Sequence, residues 1–251
     1  MNKLAIKELL YKIADDQLIL GHRNSEWTGM GPLLEEDIAF SSMAQDKVGQ
    51  SYALYTILHS LGEQEPDTVA FTRNAEQFHN SIFTELPNGE YDFSLIRHFL
   101  YDTAEIIRFD MLTGSSFQPL AELAVKVRAE LRYHTLHANT WIKQLGSATE
   151  ESIDRLQKSL MYAFPYALGM FEESPYEKEL IETGVFAGEK QLQEKWLEKI
   201  KTIIGETRLQ LPDISTVQPV LGGRAGRHSE HLQPLLNEMS EVFRIDPTAE
   251  W

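Results

Sequence analysis

Apolar residues recur at helical spacing along almost the whole chain, and this periodicity limits the fold more than any other feature. Side chains three, four and seven residues apart share one face of a helix. Glycine and proline interrupt the pattern at Gly29–Pro32, Gly62, Gly114 and Gly146, which separate the long periodic segments. Because strand-like alternation is nearly absent, the sequence predicts an all-α protein.

The periodic segments predict a bundle of long helices at residues 3–146, followed by additional C-terminal helices at residues 148–245, in a single domain over 1–251. A connection as long as residues 63–90 favours a crossover between non-adjacent helices over a tight hairpin. The predicted helices span residues 3–27, 32–60, 91–112, 119–145, 148–171, 189–209 and 229–243.

Four of these predicted helices carry an acid near the middle: Asp15, Asp46, Asp102 and Glu130. Asp46 follows Met43 by three residues and Glu130 follows Val127 by three, so we expect both acids to lie in the apolar stripe of their helix. In the first helix Asp16 offers an alternative register. A di-iron carboxylate bundle takes a lone carboxylate from each of two helices and a Glu-x-x-His pair from each of two others. An ionised carboxylate on an apolar face is costly unless it is paired, hydrogen-bonded or bound to a metal. The four acids therefore indicate either a metal site or a buried polar network.

The histidines of such a site are missing at the expected spacing. Gly49 stands three residues after Asp46, and Tyr133 stands three residues after Glu130. His134 lies one residue further, about 100° around the helix from Tyr133. The sequence therefore predicts that the ligand positions of a di-iron site are present but degenerate and hold no metal. An iron or manganese site that includes His134 is the alternative.

Asp102 shows how such an acid is neutralised without a metal. Leu95, Phe99 and Phe109 share its predicted apolar face, and His98 stands one helical turn before it. Side chains four residues apart are neighbours on a helix. If the acids form a metal-free polar network, His98 is therefore one candidate to neutralise this carboxyl group. The other candidates for the acids are Arg97, Arg108, Arg128, Arg132, Tyr133 and His134.

Composition narrows the classes of function. The chain has 251 residues, no cysteine and a formal net charge of −15. Disulfides, thiolate metal sites and iron–sulfur clusters are thereby excluded, and nucleic acid is an unfavourable partner. No apolar run reaches the roughly 20 residues of a membrane span. The first sixteen residues read as a charged amphipathic helix rather than a signal peptide, so we expect a cytoplasmic protein.

A glycine- and arginine-rich loop stands before the last predicted helix. It contributes Arg224, Arg227, His228 and His231. Such a loop at a helix N-terminus suits an anion such as a coenzyme A phosphate, or the acidic face of a partner protein. A solvated loop is the third interpretation, and the HExxH order of a zinc protease is absent.

Several short motifs are distributed over the chain: Ser25–Trp27, Asp37–Ala39, Asp46–Gln50, Asp67–Arg73, Gln77–Phe78, Leu86–Gly89, Glu130–His134 and Gly222–Leu232. Their order and spacing resemble the PaaC family of bacterial phenylacetyl-CoA epoxidase components, which belong to the ring-1,2-phenylacetyl-CoA monooxygenases of phenylacetate catabolism. The resemblance covers essentially the whole chain.

The resemblance implies a ferritin-like fold and a structural, non-catalytic role in a multicomponent monooxygenase. A related di-iron subunit would perform the epoxidation, a small bridging subunit would join the complex, and a separate reductase would deliver electrons from NAD(P)H. This chain would bind no cofactor, and it would form a homodimer when isolated. The competing hypothesis is a ferritin-like metal-binding oxidase or oxygenase with its own iron or manganese site.

Overall fold

The structure, a computed structural model, describes residues 2–246 and contains α-helices but no β-strand in that range. The predicted all-α, ferritin-like helical-bundle class is confirmed. No helix among the described residues is long and apolar enough to cross a membrane. The helices are α1 Lys3–Ser25, α2 Leu34–Ser60, α3 Pro66–Thr72, α4 Ile82–Glu85, α5 Tyr91–Leu112, α6 Gln118–Leu145, α7 Glu150–Gly169, α8 Glu177–Glu182, α9 Glu189–Ile204 and α10 Leu232–Ile245.

The predicted long connection between α2 and α5 is structured along much of its length. It contains α3, a 3-10 turn at Ala75–Gln77, and α4. The last predicted helix begins at Leu232 rather than Ser229. Helix α9 ends at Ile204 rather than at Leu209, and the other long helices agree with the predicted ranges to within two residues at each end.

Contacts group the described residues into two compact units. The terminal unit combines Asn2–Pro87 with the chain from Gly222 onwards, and the central unit is Asn88–Leu221. The single domain over 1–251 stays a prediction, and its first residue and its last five lie outside the described residues.

The terminal unit is built on the pair α1 and α2, which run antiparallel. The Tyr55 hydroxyl donates to Asp15 near one end of the pair, and the hydroxyls of Thr28 and Ser41 lie 2.8 Å apart near the other. Partners early in α1 are late in α2, as antiparallel packing requires. A Cβ atom at Gly21 would come within 3.0 Å of a side chain of α2, so this glycine permits the close approach.

The C-terminal segment returns to the terminal unit through its glycine-rich loop. A Cβ atom at Gly223 would lie 2.3 Å from the carbonyl oxygen of Asn80. Gly226 has a φ of +72°, and a Cβ there would lie 2.4 Å from the carbonyl oxygen of Glu76. Glycine is required at both positions because backbone approaches backbone at these points.

The central unit is built on α5 and α6, which are also antiparallel. Arg128 pairs with Asp110 near one end, and His98 meets His137 near the other. Helix α9 packs on this pair with Trp196 fully buried, and the indole N–H donates to a backbone carbonyl of α5 at 2.9 Å. A buried indole normally finds such an acceptor.

Candidate functional site

The structure turns α2 differently from the sequence prediction. Asp46 is half-buried, and Gly49 is exposed with open space where a Cβ atom would stand. The buried polar pair three residues apart is instead Lys47 and Gln50, which are 0% and 3% exposed. The predicted placement of Asp46 in the apolar stripe was therefore wrong by one residue.

Helix α6 repeats this shift. Glu130 is exposed and Tyr133 is 48% exposed, whereas Leu131 and His134 are both fully buried. The buried pair that ends in histidine is thus Leu131 and His134, with an apolar side chain where a di-iron bundle has glutamate.

Both errors have one physical cause. Along the buried face of α2, the position after Met43 is Lys47, four residues later. Along the buried face of α6, the position after Val127 is Leu131, again four residues later. The sequence prediction stepped by three, which selected the acid at each place. Steps of three and four are equally compatible with a helix face, and one residue rotates a side chain by about 100°.

Asp15 on α1 is buried and held by an arginine from the segment after α3. Arg73 forms a two-pronged ion pair with its carboxylate, Nη2 to Oδ1 at 2.6 Å and Nη1 to Oδ2 at 3.0 Å. The Tyr55 hydroxyl donates to Oδ1 at 2.6 Å, and the backbone N–H of His79 donates to Oδ2 at 2.7 Å. The guanidinium also lies 4.0 Å from the centre of the Phe78 ring. Two oxygens that accept four hydrogen bonds have little capacity left for a metal.

The electrostatics of this cluster favour a permanent ion pair. Burial alone would lower the pKa of Arg73, but the charge of Asp15 outweighs it and raises the pKa above its already high ordinary value. Burial raises the pKa of Tyr55 well above its usual range, and the charge of Asp15 adds to that shift. Arg73 therefore stays charged and Tyr55 stays a hydrogen-bond donor at every physiological pH.

Asp16 is also buried, and a second arginine holds it. Arg224 of the glycine-rich loop places Nη2 at 2.6 Å from Oδ2 of Asp16. Its Nη1 donates to the carbonyl oxygens of Lys12 and His79 at 3.0 and 2.9 Å. Arg224 is 5% exposed, so its predicted role as a partner or ligand contact is corrected to an internal counterion that fixes the C-terminal segment to α1.

His228 has a similar internal role. Its Nδ1 lies 2.8 Å from Oε2 of Glu85, and its Nε2 lies 3.0 Å from the carbonyl oxygen of Phe78. The predicted ligand contact is therefore corrected for His228 as well. Arg227 is exposed and His231 is half-buried, and for these two the predicted contact role stays a prediction.

Asp102 on α5 lies in the buried stripe, as the sequence predicts, and histidines surround it. Nδ1 of His98 lies 2.5 Å from Oδ2, and Nδ1 of His134 lies 3.5 Å from Oδ1. His98 also meets Nδ1 of His137 through its Nε2 at 3.2 Å. Of the candidates that the sequence offers, His98 and His134 contact this carboxyl group.

Burial lowers the pKa of His98 to about 4, although the neighbouring Asp102 opposes the shift. The ring is therefore neutral at pH 7 and carries one proton. If Nδ1–H donates to Asp102, then Nε2 is the acceptor and His137 must donate from its Nδ1. The cluster is a directed chain of hydrogen bonds rather than a permanent ion pair.

The central unit contains another buried cluster of charged side chains, which the sequence analysis did not predict. Arg108 donates from Nε to Glu105 at 2.8 Å and from Nη1 to Glu189 at 2.5 Å, and each of the three is at most 2% exposed. These two carboxylates raise the pKa of Arg108 despite its burial, which alone would lower it. The three-residue spacing of Glu105 and Arg108 was a local signal, whereas Glu189 arrives from a distant helix.

The donor sets do not fit a di-iron centre. Lys47 and Leu131 stand where the two Glu-x-x-His motifs need carboxylates, and Asp15 is saturated by Arg73, Tyr55 and a backbone amide. Within residues 2–246, no group of three or more histidine, aspartate or glutamate side chains is arranged to hold a metal ion.

Comparison with known proteins agrees with the resemblance seen in the motifs. The model of a family described as phenylacetic acid catabolic protein matches residues 2–251. The chain is 31% identical over 252 residues to a subunit of the 1,2-phenylacetyl-CoA epoxidase of Escherichia coli strain K12, with 100% of each chain covered. Both matches extend over essentially the whole sequence, and the predicted family membership is confirmed. The chain belongs to the phenylacetic acid catabolic protein family.

Proposed function

We propose that this chain is the non-catalytic structural subunit of a multicomponent phenylacetyl-CoA 1,2-epoxidase, and that it pairs with and stabilises the di-iron catalytic subunit. The full-length similarity to a subunit of the Escherichia coli epoxidase supports the assignment to such a complex. A small bridging subunit and a separate NAD(P)H-dependent reductase complete the proposed complex.

The observation that carries the non-catalytic role is the burial of Lys47. A di-iron bundle places glutamate at the first position of its buried Glu-x-x-His motif. Here a cation with 0% exposure stands at that position on α2, followed by Gln50 at the histidine position. A lysine ammonium repels a metal ion and cannot ligate it. The residue at the position where a di-iron protein has a metal ligand therefore disfavours metal binding in this chain.

A long apolar face on α2 supports pairing with another subunit. Leu34, Ile38, Val48 and Tyr52 are 70%, 61%, 45% and 58% exposed, and they lie on one side of the helix as two pairs, each with a four-residue step. Ser41 and Gln45 lie between the two pairs on the same side. Exposed apolar side chains that share one helix face are typical of protein interfaces. We infer that this face, which we call the α2 face, is buried against the catalytic subunit.

A groove beside the α2 face adds to this inference. It has a volume of about 800 Å³, and both Val48 and Phe71 contribute to its largely apolar lining. Nε2 of His22 is buried in this region without a hydrogen-bond partner among the described residues. Burial lowers the pKa of His22, so the ring presents a neutral edge. Several apolar side chains of the partner, one of them with a polar atom near His22, would fill this groove.

Metal analysis of the purified chain tests the non-catalytic role. We expect substoichiometric iron and manganese after expression in metal-rich medium, and no oxygen consumption with a chemical reductant. Near-stoichiometric iron together with oxygen consumption would overturn the proposal in favour of an oxidase or oxygenase with its own site.

Co-expression with the di-iron subunit tests the pairing. The double substitution Ile38→Glu/Tyr52→Glu places two charges on the α2 face and should abolish co-purification. Val242→Glu, at a 57% exposed position of α10, is the matched control and should leave co-purification intact. Equal recovery of the partner with both variants would exclude the α2 face as the interface.

A further inference from the structure

A second groove, in the central unit, concentrates positive charge in an acidic protein. It has a volume of about 500 Å³ and lies among α5, α6 and α9. Small-molecule pockets typically measure about 300–1,000 Å³, whereas a stable protein interface buries more than about 1,000 Å². The size of this groove is therefore compatible with a small ligand, and its charge identifies the kind of ligand.

The charged lining of the basic groove is unbalanced. It consists of Arg128, Arg132, Lys195 and Lys199 on the positive side and Asp110 and Glu198 on the negative side. The net charge of the whole chain is −15, so a local excess of two positive charges runs against the composition. Cations that converge on one groove repel each other unless an anion lies between them.

Most of these cations lack an internal counterion. Arg128 pairs with Asp110 at 2.7 Å. Within residues 2–246, no carboxylate forms an ion pair with Arg132, Lys195 or Lys199. Three cations on two facing helices are thus directed to solvent around one groove.

The floor of the groove is apolar. Ile106 and Ile107 of α5 line it, and both are half-exposed. A ligand that fits the groove therefore has a charged part for the rim and a flat or apolar part for the floor. A single carboxylate would neutralise only half of the excess charge. Two linked phosphate groups carry at least the two negative charges required, and their oxygens can accept hydrogen bonds from cations of both α6 and α9 at once.

We propose that the basic groove binds a small ligand that carries two or more phosphate groups. Arg132 from α6 and Lys199 from α9 contact the phosphates, and the isoleucine floor contacts the remainder of the ligand. A free nucleotide and a coenzyme A thioester share this chemistry. The groove stands independently of the proposed epoxidase role, and only the coenzyme A source rests on it.

Titration calorimetry of the full chain with inorganic pyrophosphate, in low-salt buffer without divalent cations, tests the site. Arg132→Gln/Lys199→Gln should weaken binding about tenfold, because the variant loses two exposed ion pairs with the phosphates and each contributes only modestly to the affinity. Lys126→Gln/Lys201→Gln removes two exposed charges from the same helices outside the groove and should leave the affinity within about twofold. All four side chains are exposed, so both variants should fold like the parent chain.

Absence of pyrophosphate binding to the parent chain would overturn the proposal, as would an equal loss of affinity in both double variants. Adenosine diphosphate and coenzyme A then distinguish the source, since tighter binding of coenzyme A that requires Arg132 supports a thioester ligand. Equal affinities support recognition of the phosphates alone. Because metal content and co-purification play no part in this titration, a failed epoxidase role and a failed groove give different results.

Discussion

The two units each bury a carboxylate in the middle of a long helix, and they neutralise it by different chemistry. In the terminal unit, Arg73 holds Asp15 in a two-pronged ion pair, and this arginine stays charged at every physiological pH. In the central unit, neutral His98 holds Asp102 in a directed hydrogen bond. A buried aspartate in a long helix thus forms an ion pair in one unit and a series of hydrogen bonds to a titratable histidine in the other. The response of each cluster to pH depends on the partner, because arginine stays charged whereas histidine can gain a proton.

The largest expected effect comes from removal of the fixed cation. Arg73→Met leaves Asp15 buried without its counterion, and breaking a buried pair from one side typically costs about 3–5 kcal/mol. Urea unfolding should report this loss in the free energy of unfolding. Arg208→Met, which breaks an exposed ion pair with Glu150, is the control and should cost less than about 1 kcal/mol.

The double variant Asp15→Asn/Arg73→Met sharpens this result. Asparagine keeps an acceptor for Tyr55 or the His79 amide but removes the buried charge, so stability should partly return. A cost below about 1 kcal/mol for Arg73→Met alone would show that water reaches Asp15 once the arginine is gone.

A smaller effect is expected in the central unit. Asp102→Leu removes the acceptor of His98, whose side chain is 1% exposed. Since the histidine is already neutral, the penalty is that of an unsatisfied buried N–H, about 1–3 kcal/mol. A loss as large as that of Arg73→Met would indicate that His98 is protonated and charged in the fold.

The pH dependence of stability provides a further test of the Asp102 cluster in the central unit. The folded pKa of His98 is about 4, below the ordinary value of 6.5, so the unfolded state binds more protons between these values. Stability from this group is therefore complete above pH 6.5 and is lost as the pH falls toward 4. From pH 7 to pH 5 the expected loss is at most about 2 kcal/mol.

Chemical unfolding at both pH values checks this expectation. His98→Asn should flatten the dependence of the unfolding free energy on pH, whereas His59→Asn, at an exposed position, should preserve it. Identical slopes for the parent chain and His98→Asn would contradict a buried neutral imidazole.

The smallest expected effect is at the predicted but displaced histidine positions. Gly49 is exposed with open space beside it, and Tyr133 is 48% exposed. Gly49→His/Tyr133→His should therefore change the free energy of unfolding by less than about 1 kcal/mol and should bind no iron above the parent level. Stoichiometric iron in this variant would show that these two residues do face a common site.

Local spacing was sufficient for some of these features. The all-α class followed from helical periodicity, and the contact of His98 with Asp102 followed from their separation by one helical turn. Spacing was insufficient where two neighbouring residues competed for one buried position. Asp46 and Lys47 are adjacent, and a charge is costly to bury at either position. The amino-acid sequence of the helix therefore did not indicate which of the two side chains is buried.

The sequence by itself determined the helices, the burial of Asp102 with its histidine and, through its motifs, the family. Only the tertiary structure decided that Lys47 rather than Asp46 is buried, because packing sets the rotation of a helix within the 100° that separates adjacent side chains. It alone also supplied the counterions of α1: Arg73 and Arg224 stand 58 and 208 residues along the chain from Asp15 and Asp16. Contacts over such separations depend on the fold of the whole chain, and no local pattern encodes them.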